Sequence, residues 1–169
     1  MRRHPNVVNI DEVEAKGAPK PGPAPFGGTG RRLAVAAGSK KLGASLYEVP
    51  AGQIGFPCHA HHINEEALYL LQGKGTLRIG PDRVAVRAGD WIALPAGEAT
   101  AHQLIADQGE ALTYLAVSTM LDADIVTYPD SGKLMVAVGY PASTLRKVFH
   151  TADGNVDYWE GEGERSDKG

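Results

Sequence analysis

Short apolar runs, most of them ended by Gly, Pro or Asp, follow one another closely from residue 31 onward. Several alternate between apolar and polar positions, as in DRVAVRAGD, where Val84 and Val86 share one face of an extended chain and the two arginines lie on the other. Alternation with a period of two indicates a half-buried β-strand. Many such strands separated by turn residues are typical of an all-β sandwich or barrel. The pattern therefore predicts one sheet-rich domain over residues 31–150.

The segments predicted as strands are short, and each is apolar or alternating. They are RRLAVAAG, KLGASLYEVPAG, EALYLLQG, KGTLRIG, DRVAVRAGD, WIALPAG, AHQLIA, ALTYLAVST and LMVAVG. Helix propensity alone would permit a helical turn in EALYLLQG, but Gly73 and Gly75 cut it too short for a helix. STLRKVFH is compatible with a strand or with a short helical turn. We expect the aromatic residues Tyr47 and Trp91 to be core residues.

The two ends of the chain differ from the predicted barrel. Residues 1–30 are predicted to form an extended arm, because GAPKPGPAPFGGTG holds nine Pro or Gly in fourteen positions and cannot be a helix. Residues 1–32 carry six Lys or Arg against three Asp or Glu, whereas 151–169 carry two against six. We expect residues 151–169 to form an acidic, flexible tail. The opposite charges could attract the two ends to each other, or both ends are simply solvated.

Composition narrows the classes of partner and compartment. At 169 residues the chain fits one domain. A net charge of −3 argues against nucleic acid or an anionic membrane as a partner, since either favours a basic face. The single cysteine, Cys58, excludes an intrachain disulfide and is compatible with a reducing compartment. No apolar run approaches the roughly 18 residues of a membrane span, and no signal peptide is recognisable. Together these features predict a cytoplasmic protein.

Four residues form a candidate metal-binding constellation. His59 and His61 are two positions apart, so on a strand their imidazoles point to the same face. Glu66 follows a predicted bend and begins the next strand, and His102 lies on another strand downstream. Three neutral imidazoles and one carboxylate are a normal ligand set for a divalent ion of Mn, Fe, Co, Ni, Cu or Zn. Four protein ligands around a six-coordinate ion would leave positions for water, substrate or dioxygen.

The two segments that hold these residues resemble the paired sequence motifs of the cupin superfamily. The residues shared with the motifs are Gly52, His59, His61, Glu66 and Gly73 in the first segment and Gly89, Pro95, Gly97 and His102 in the second. The chain departs from the motifs in having one extra residue before His59, two extra residues before His102, and Ala106 where the motif has Asn. These departures affect loops and leave all four ligand types in place.

The resemblance implies an all-β fold, a double-stranded β-helix (the cupin jelly-roll barrel), with one divalent transition metal ion in the mouth of the barrel. By analogy, the metal ligands are His59, His61, Glu66 and His102. The resemblance also makes a homodimer a reasonable expectation, and open sheet edges favour the same conclusion.

Neighbouring residues offer alternatives at two of these positions. His62 competes with His61, but alternation with His59 favours His61, which leaves His62 at the pocket rim with a possible acid–base role. Glu65 competes with Glu66, and the spacing to the following Gly favours Glu66. Cys58 is expected to point away from the two histidines as a packed thiol, because its position has the opposite parity.

The candidate site is compatible with three classes of function. The first is a metal-dependent enzyme on a small molecule, of the dioxygenase, decarboxylase or sugar-isomerase type that the resemblance implies. The second is a non-enzymatic binder whose metal anchors a small ligand, and the third is a jelly-roll whose metal is purely structural. No catalytic acid or base is identifiable from the sequence. The enzyme is the favoured interpretation, with a small molecule as its partner.

Overall fold

The chain folds into thirteen β-strands and one short α-helix in the computed structural model, which describes residues 3–17, 25–139, 142–154, 156 and 160. The strands that precede the first histidine segment are β1 Lys16–Gly17, β2 Thr29–Arg31 and β3 Leu42–Val49, and the helix α1 is Leu33–Ala36. The central strands are β4 Ala60–His61, β5 Glu66–Gln72, β6 Lys74–Ile79, β7 Asp82–Arg87, β8 Trp91–Leu94, β9 His102–Ala106 and β10 Leu112–Thr119. The last strands are β11 Ala123–Tyr128, β12 Lys133–Val138 and β13 Leu145–His150.

These strands form three antiparallel sheets that wrap around one interior. A six-stranded sheet has the order β1-β2-β3-β10-β5-β8, a three-stranded sheet the order β7-β6-β9, and a four-stranded sheet the order β13-β12-β11-β4. Antiparallel hairpins with alternating inward and outward positions let a chain this rich in Gly and Pro bury one face of each strand. The all-β double-stranded β-helix that the sequence predicts is confirmed.

The apolar core fills one end of the barrel, and the polar constellation lies at the other. Along the inward face of β5 the chain passes from Glu66 to Leu68 and then to Leu70, which is completely buried. The core residues of this region come from the six-stranded and the three-stranded sheets and are Val49, Leu68, Leu70, Leu77, Val86, Ile92, Leu94, Leu104, Ala106, Leu112 and Tyr114. Each fully buried Leu side chain contributes about 2 kcal/mol from the hydrophobic effect. A buried apolar core therefore lies beneath the polar residues at the mouth of the barrel.

Two local predictions are wrong. In the segment RRLAVAAG only Arg31 belongs to a strand, the end of β2, and Leu33–Ala36 form the helix α1, since Leu and Ala have high helix propensity. Trp91 is 61% exposed and not a core residue, since it lies on the outer face of β8 while the adjacent Ile92 points inward. The open alternative for STLRKVFH is decided in favour of the strand β13.

The two ends are described only in part. In the predicted N-terminal arm, β1 and β2 pair with each other and β2 pairs with β3, so this part of the arm extends the six-stranded sheet. Residues 18–24 of the arm lie outside the described residues, as does most of the predicted acidic tail. No helix in the described part of the chain is long and apolar enough to cross a membrane.

Candidate metal centre

The four predicted site residues come from three sheets that meet at the mouth of the barrel. His59 immediately precedes β4 and forms an isolated β-bridge with His102, the first residue of β9. His61 is the last residue of β4, and the chain then bends through residues 62–64 before Glu66 begins β5. Because His59 and His61 have the same parity, their side chains turn to the same side.

Their side-chain atoms converge. One potential ligand atom from each of His59, His61 and Glu66 lies within 4.8 Å of the other two. Oε2 of Glu66 lies 3.4 Å from Nε2 of His61 and 3.6 Å from Nε2 of His102. The ring centroids of His59 and His102 are 4.5 Å apart. The structure therefore brings together all four residues that the sequence singled out.

Two of the imidazoles are oriented by backbone carbonyls. Nδ1 of His59 lies 2.8 Å from the carbonyl oxygen of Pro57, and Nδ1 of His102 lies 3.0 Å from that of Thr100. A carbonyl can only accept, so each Nδ1 donates its hydrogen and each neutral ring carries its lone pair on Nε2. In His102 this Nε2 faces the carboxylate of Glu66. Fixing the tautomer in this way is what a metal-binding histidine requires.

Burial keeps these two imidazoles neutral. It lowers the pKa of His59 from 6.5 to about 4, and the nearby His61 lowers it further against the Pro57 hydrogen bond. Burial together with the positive charge of His59 lowers the pKa of His102 from 6.5 to about 3. Burial also raises the pKa of Glu66, against the effect of His61. Neutral imidazoles beside a buried carboxylate leave lone pairs that a cation would stabilise.

Asp124 is a site residue that the sequence reasoning missed. Its Oδ2 lies 2.5 Å from Nδ1 of His61, and its Oδ1 accepts hydrogen bonds from the backbone of Ile63, Asn64 and Ile125. Burial acts to lower the pKa of His61, but the Asp124 hydrogen bond and the charges of Glu66 and Asp124 raise it overall. Burial acts to raise the pKa of Asp124, and these hydrogen bonds outweigh it and lower the pKa. A carboxylate in the middle of the apolar alternation of ADIVTY was the available signal.

The rejected alternatives lie elsewhere. Nε2 of His62 is 3.0 Å from Oγ1 of Thr127, and the predicted place of this ring at the pocket rim stays a prediction. Glu65 is exposed, as expected of a surface carboxylate. Cys58 is 2% exposed and packs with Ala60 and Ala101, as expected of a structural thiol.

One hollow adjoins the site at Glu66, and a second, larger one lies on the other side of Tyr47. A recess of about 70 Å³ beside Glu66 is lined by the hydroxyl residues Ser45, Tyr47 and Ser118. A larger groove of about 1120 Å³ runs between the N-terminal segments and the turn that contains Phe56. Tyr47 lines both hollows. A small polar molecule could therefore approach Glu66 from solvent.

The residues present fit a divalent transition metal. Three imidazole nitrogens and one carboxylate are a borderline donor set that suits Mn, Fe, Co, Ni, Cu or Zn. The carboxylate–histidine pair of Asp124 and His61 is also the arrangement found behind many metal-binding histidines. The cluster of His59, His61 and Glu66 is compatible with a metal site.

Comparisons with known proteins are consistent with the fold and the candidate metal centre described above. Residues 45–118, which contain all four candidate ligands, match the family model described as "Cupin domain". A candidate sugar phosphate isomerase from Acidithiobacillus ferrooxidans is 26% identical, with a TM-score of 0.73 over 90% of this chain and 97% of that chain. A sugar phosphate isomerase of the cupin superfamily from Silicibacter pomeroyi is 21% identical, with a TM-score of 0.77 over the same shares.

A more distant fold relative has another name. A predicted oxalate decarboxylase from Thermotoga maritima is 23% identical, with a TM-score of 0.54 over 68% of this chain and 99% of that chain. The search of curated proteins gives no match. The sequence motifs and the family model agree on a cupin domain over residues 45–118, and the fold of the chain is similar to that of cupins.

Proposed function

We propose that this chain is a divalent-metal-dependent enzyme that isomerises a small polyhydroxy carbonyl compound, with His59, His61, Glu66 and His102 as the metal ligands. The observation that carries the proposal is the convergence of these side chains beside a recess rich in hydroxyl groups. The likeness to the Acidithiobacillus protein spans nearly the full length of both chains and favours the isomerase over the other reactions hosted by this fold. The fold alone would not choose between them.

The chain's own residues would divide the work between holding the metal and orienting the substrate. A divalent ion would supply Lewis acidity toward a carbonyl or hydroxyl oxygen of the substrate. Asp124 holds the ring of His61 in one orientation. Ser45, Tyr47 and Ser118 line the recess beside Glu66, where their hydroxyls offer hydrogen bonds to a polyhydroxy substrate. The buried apolar residues Leu68 and Leu70 exclude water from one side of the site.

The metal is tested first, by elemental analysis of untagged protein purified without chelators. We expect about one equivalent of a transition metal in the wild type and its loss in His61→Ala. The matched control is His62→Ala, because this neighbouring imidazole contacts Thr127 and is not directed at the site. Absence of metal from the wild type, with no uptake of Mn, Fe, Ni, Co, Cu or Zn, would refute the metal-dependent function.

The reaction is tested next, by proton NMR of aldoses, ketoses and their phosphates incubated in D₂O with the metal-loaded protein. Isomerisation through proton transfer interconverts an aldose and a ketose and places deuterium on the carbon next to the carbonyl. We expect both signals in the wild type and in His62→Ala, and neither in Glu66→Gln. A protein that binds metal and sugar without turnover would be the non-enzymatic binder, and the proposed isomerase would be wrong.

A further inference from the structure

The face of the four-stranded sheet that borders the candidate metal centre continues across its outer strands. The ring of Tyr128 lies 6.1 Å from the ring of His59, at an interplanar angle of 28°. In the neighbouring strand β12, Lys133 stands directly opposite Tyr128, and in β13 His150 stands opposite Lys133. Residues directly opposite in antiparallel strands project from the same face. This row therefore leads from the candidate metal centre to basic residues at the edge of the sheet.

Two cations gather around Tyr128. Nζ of Lys133 lies over the Tyr128 ring, 5.5 Å from its centroid. Nε of Arg146 donates to the sulfur of Met135 at 3.1 Å, and the hydroxyl of Tyr128 is 4.0 Å from the same sulfur. Burial raises the pKa of the Tyr128 hydroxyl, the positive charge of Arg146 acts to lower it, and the more weakly acting charge of Asp124 raises it. An ammonium, a guanidinium and a hydroxyl thus surround one small region of the sheet face.

The positive charge of this cluster is not neutralised by carboxylates within the part of the chain that the structure describes. Neither Lys133 nor Arg146 has an ion pair there, whereas the nearby Asp130 is engaged by both terminal nitrogens of Arg78, at 2.7 and 2.8 Å. Asp124, which shares the sheet face, is engaged by His61. Uncompensated cations beside a recessed site attract an anionic group of a ligand.

We infer that Lys133, Arg146 and the hydroxyl of Tyr128 form a subsite for the phosphate group of a phosphorylated substrate whose other end reaches the candidate metal centre. This inference rests on the proposed function for the position of the substrate. Two strand spacings, roughly 10 Å, separate the backbone of His59 from that of Lys133, which is comparable to the length of a sugar phosphate. The guanidinium of an Arg can donate two parallel hydrogen bonds to a pair of phosphate oxygens, and the ammonium of a Lys adds a compact positive charge.

With this subsite, the two sides of the candidate metal centre would bind different parts of the substrate. The recess beside Glu66 is lined by hydroxyl groups and by Arg32, and it suits the polyhydroxy part of the substrate. The flank beyond Tyr128 offers cations and suits the charged end. A substrate with a phosphate at one end would thereby be bound in only one direction.

The test is titration of the metal-loaded protein with inorganic phosphate by calorimetry, in the wild type and in Lys133→Met and Arg146→Met. We expect each substitution to weaken phosphate binding about tenfold, since hydrogen bonds to charged groups are of that strength. The matched control is Lys147→Met, because Lys147 pairs with Val136 and lies on the opposite face of β13 from Arg146. The control should bind phosphate as the wild type does.

Two further measurements separate this inference from the proposed function. The metal content of each variant should equal that of the wild type, because Lys133 and Arg146 are not candidate ligands. Phosphate binding should also persist after the metal is removed, since the chain supplies the cations. Loss of phosphate binding in the Lys133 and Arg146 variants of a protein that never binds metal would support the subsite and refute only the proposed enzyme. Phosphate binding that disappears with the metal, or that is unchanged in both variants, would overturn the subsite.

Discussion

Nδ1 of His61 lies 2.5 Å from Oδ2 of Asp124, across the pairing between β4 and β11. The same carboxylate accepts backbone hydrogen bonds from the bend that joins β4 to Glu66. Asp124 thus orients the ring of the candidate ligand His61 and also stabilises the bend that leads to the next candidate ligand, Glu66. It is 8% exposed, so its negative charge is compensated by these donors and not by water.

Replacing this carboxylate should weaken metal binding without removing a ligand. We expect Asp124→Asn to raise the metal dissociation constant about 10- to 100-fold, because partners behind a metal-binding histidine have effects of this size. Competition with a chromogenic chelator measures the constant. Asp130→Asn is the control, since that carboxylate pairs with Arg78 at the surface. Equal metal affinity in Asp124→Asn and wild type would show that Asp124 does not act through His61.

The metal-free protein should lose stability in acid through His59 and His102. Burial lowers the pKa of His59 from 6.5 to about 4 and that of His102 from 6.5 to about 3. Between the ordinary and the lowered pKa the unfolded chain binds more protons, so stability decreases as the pH falls from about 6.5 toward 4. The raised pKa values of His61 and Glu66 act in the opposite direction.

Calorimetry of the metal-free protein between pH 7 and 4 measures this effect. The midpoint temperature should fall with pH in the wild type and fall less steeply in the double variant His59→Asn/His102→Asn. Glu65→Gln serves as the control for a change at an exposed group. Parallel curves for the wild type and the double variant would assign the acid sensitivity to other groups.

The buried core beneath the candidate metal centre should contribute strongly to the free energy of unfolding. Leu70 is completely buried in the core cluster, whereas Leu42 is 67% exposed at the start of β3. We expect Leu70→Ala to cost about 2–5 kcal/mol and Leu42→Ala to stay within about 0.5 kcal/mol of the wild type. Urea denaturation gives both values. A loss in Leu70→Ala no larger than in Leu42→Ala would mean that the core does not depend on this face of β5.

The homodimer remains a prediction, and the structure offers a surface for it. Trp91 is 61% exposed and Tyr69 39% exposed on the outer face of the six-stranded sheet, with ring centroids 6.4 Å apart. We propose that a second copy of the chain covers this pair, because adjacent exposed aromatic rings are typical of interfaces. Light scattering should then give twice 17.9 kDa for the wild type and one chain mass for Trp91→Glu. Val84→Glu, on a different sheet, should remain dimeric, and a monomeric wild type would refute the proposal.

Alternation and short apolar runs along the chain were sufficient to predict most of the barrel. The strands β6 and β7 alternate between apolar and polar positions in the sequence, whereas β5, β9 and β10 were recognisable as short apolar runs ended by turn residues. On the face of Glu66, Leu68 and Leu70 are buried while Tyr69 points outward, as the period of two in a strand requires. The helix α1 was missed because a short run of Leu and Ala carries no period long enough to identify it.

The sequence by itself determined the all-β fold and the candidate set His59, His61, Glu66 and His102, because strand parity and motif spacing are local properties of the chain. Tertiary structure decided which other groups meet that set. Asp124 reaches His61 because β11 pairs with β4. Lys133 and Arg146 lie near Tyr128 because β12 pairs with β11 and β13 pairs with β12. The pairing of β4 with β11 joins residues far apart in the chain, as in the 63-residue separation of His61 and Asp124. No local pattern encodes that register, since it is selected by the packing of the whole barrel.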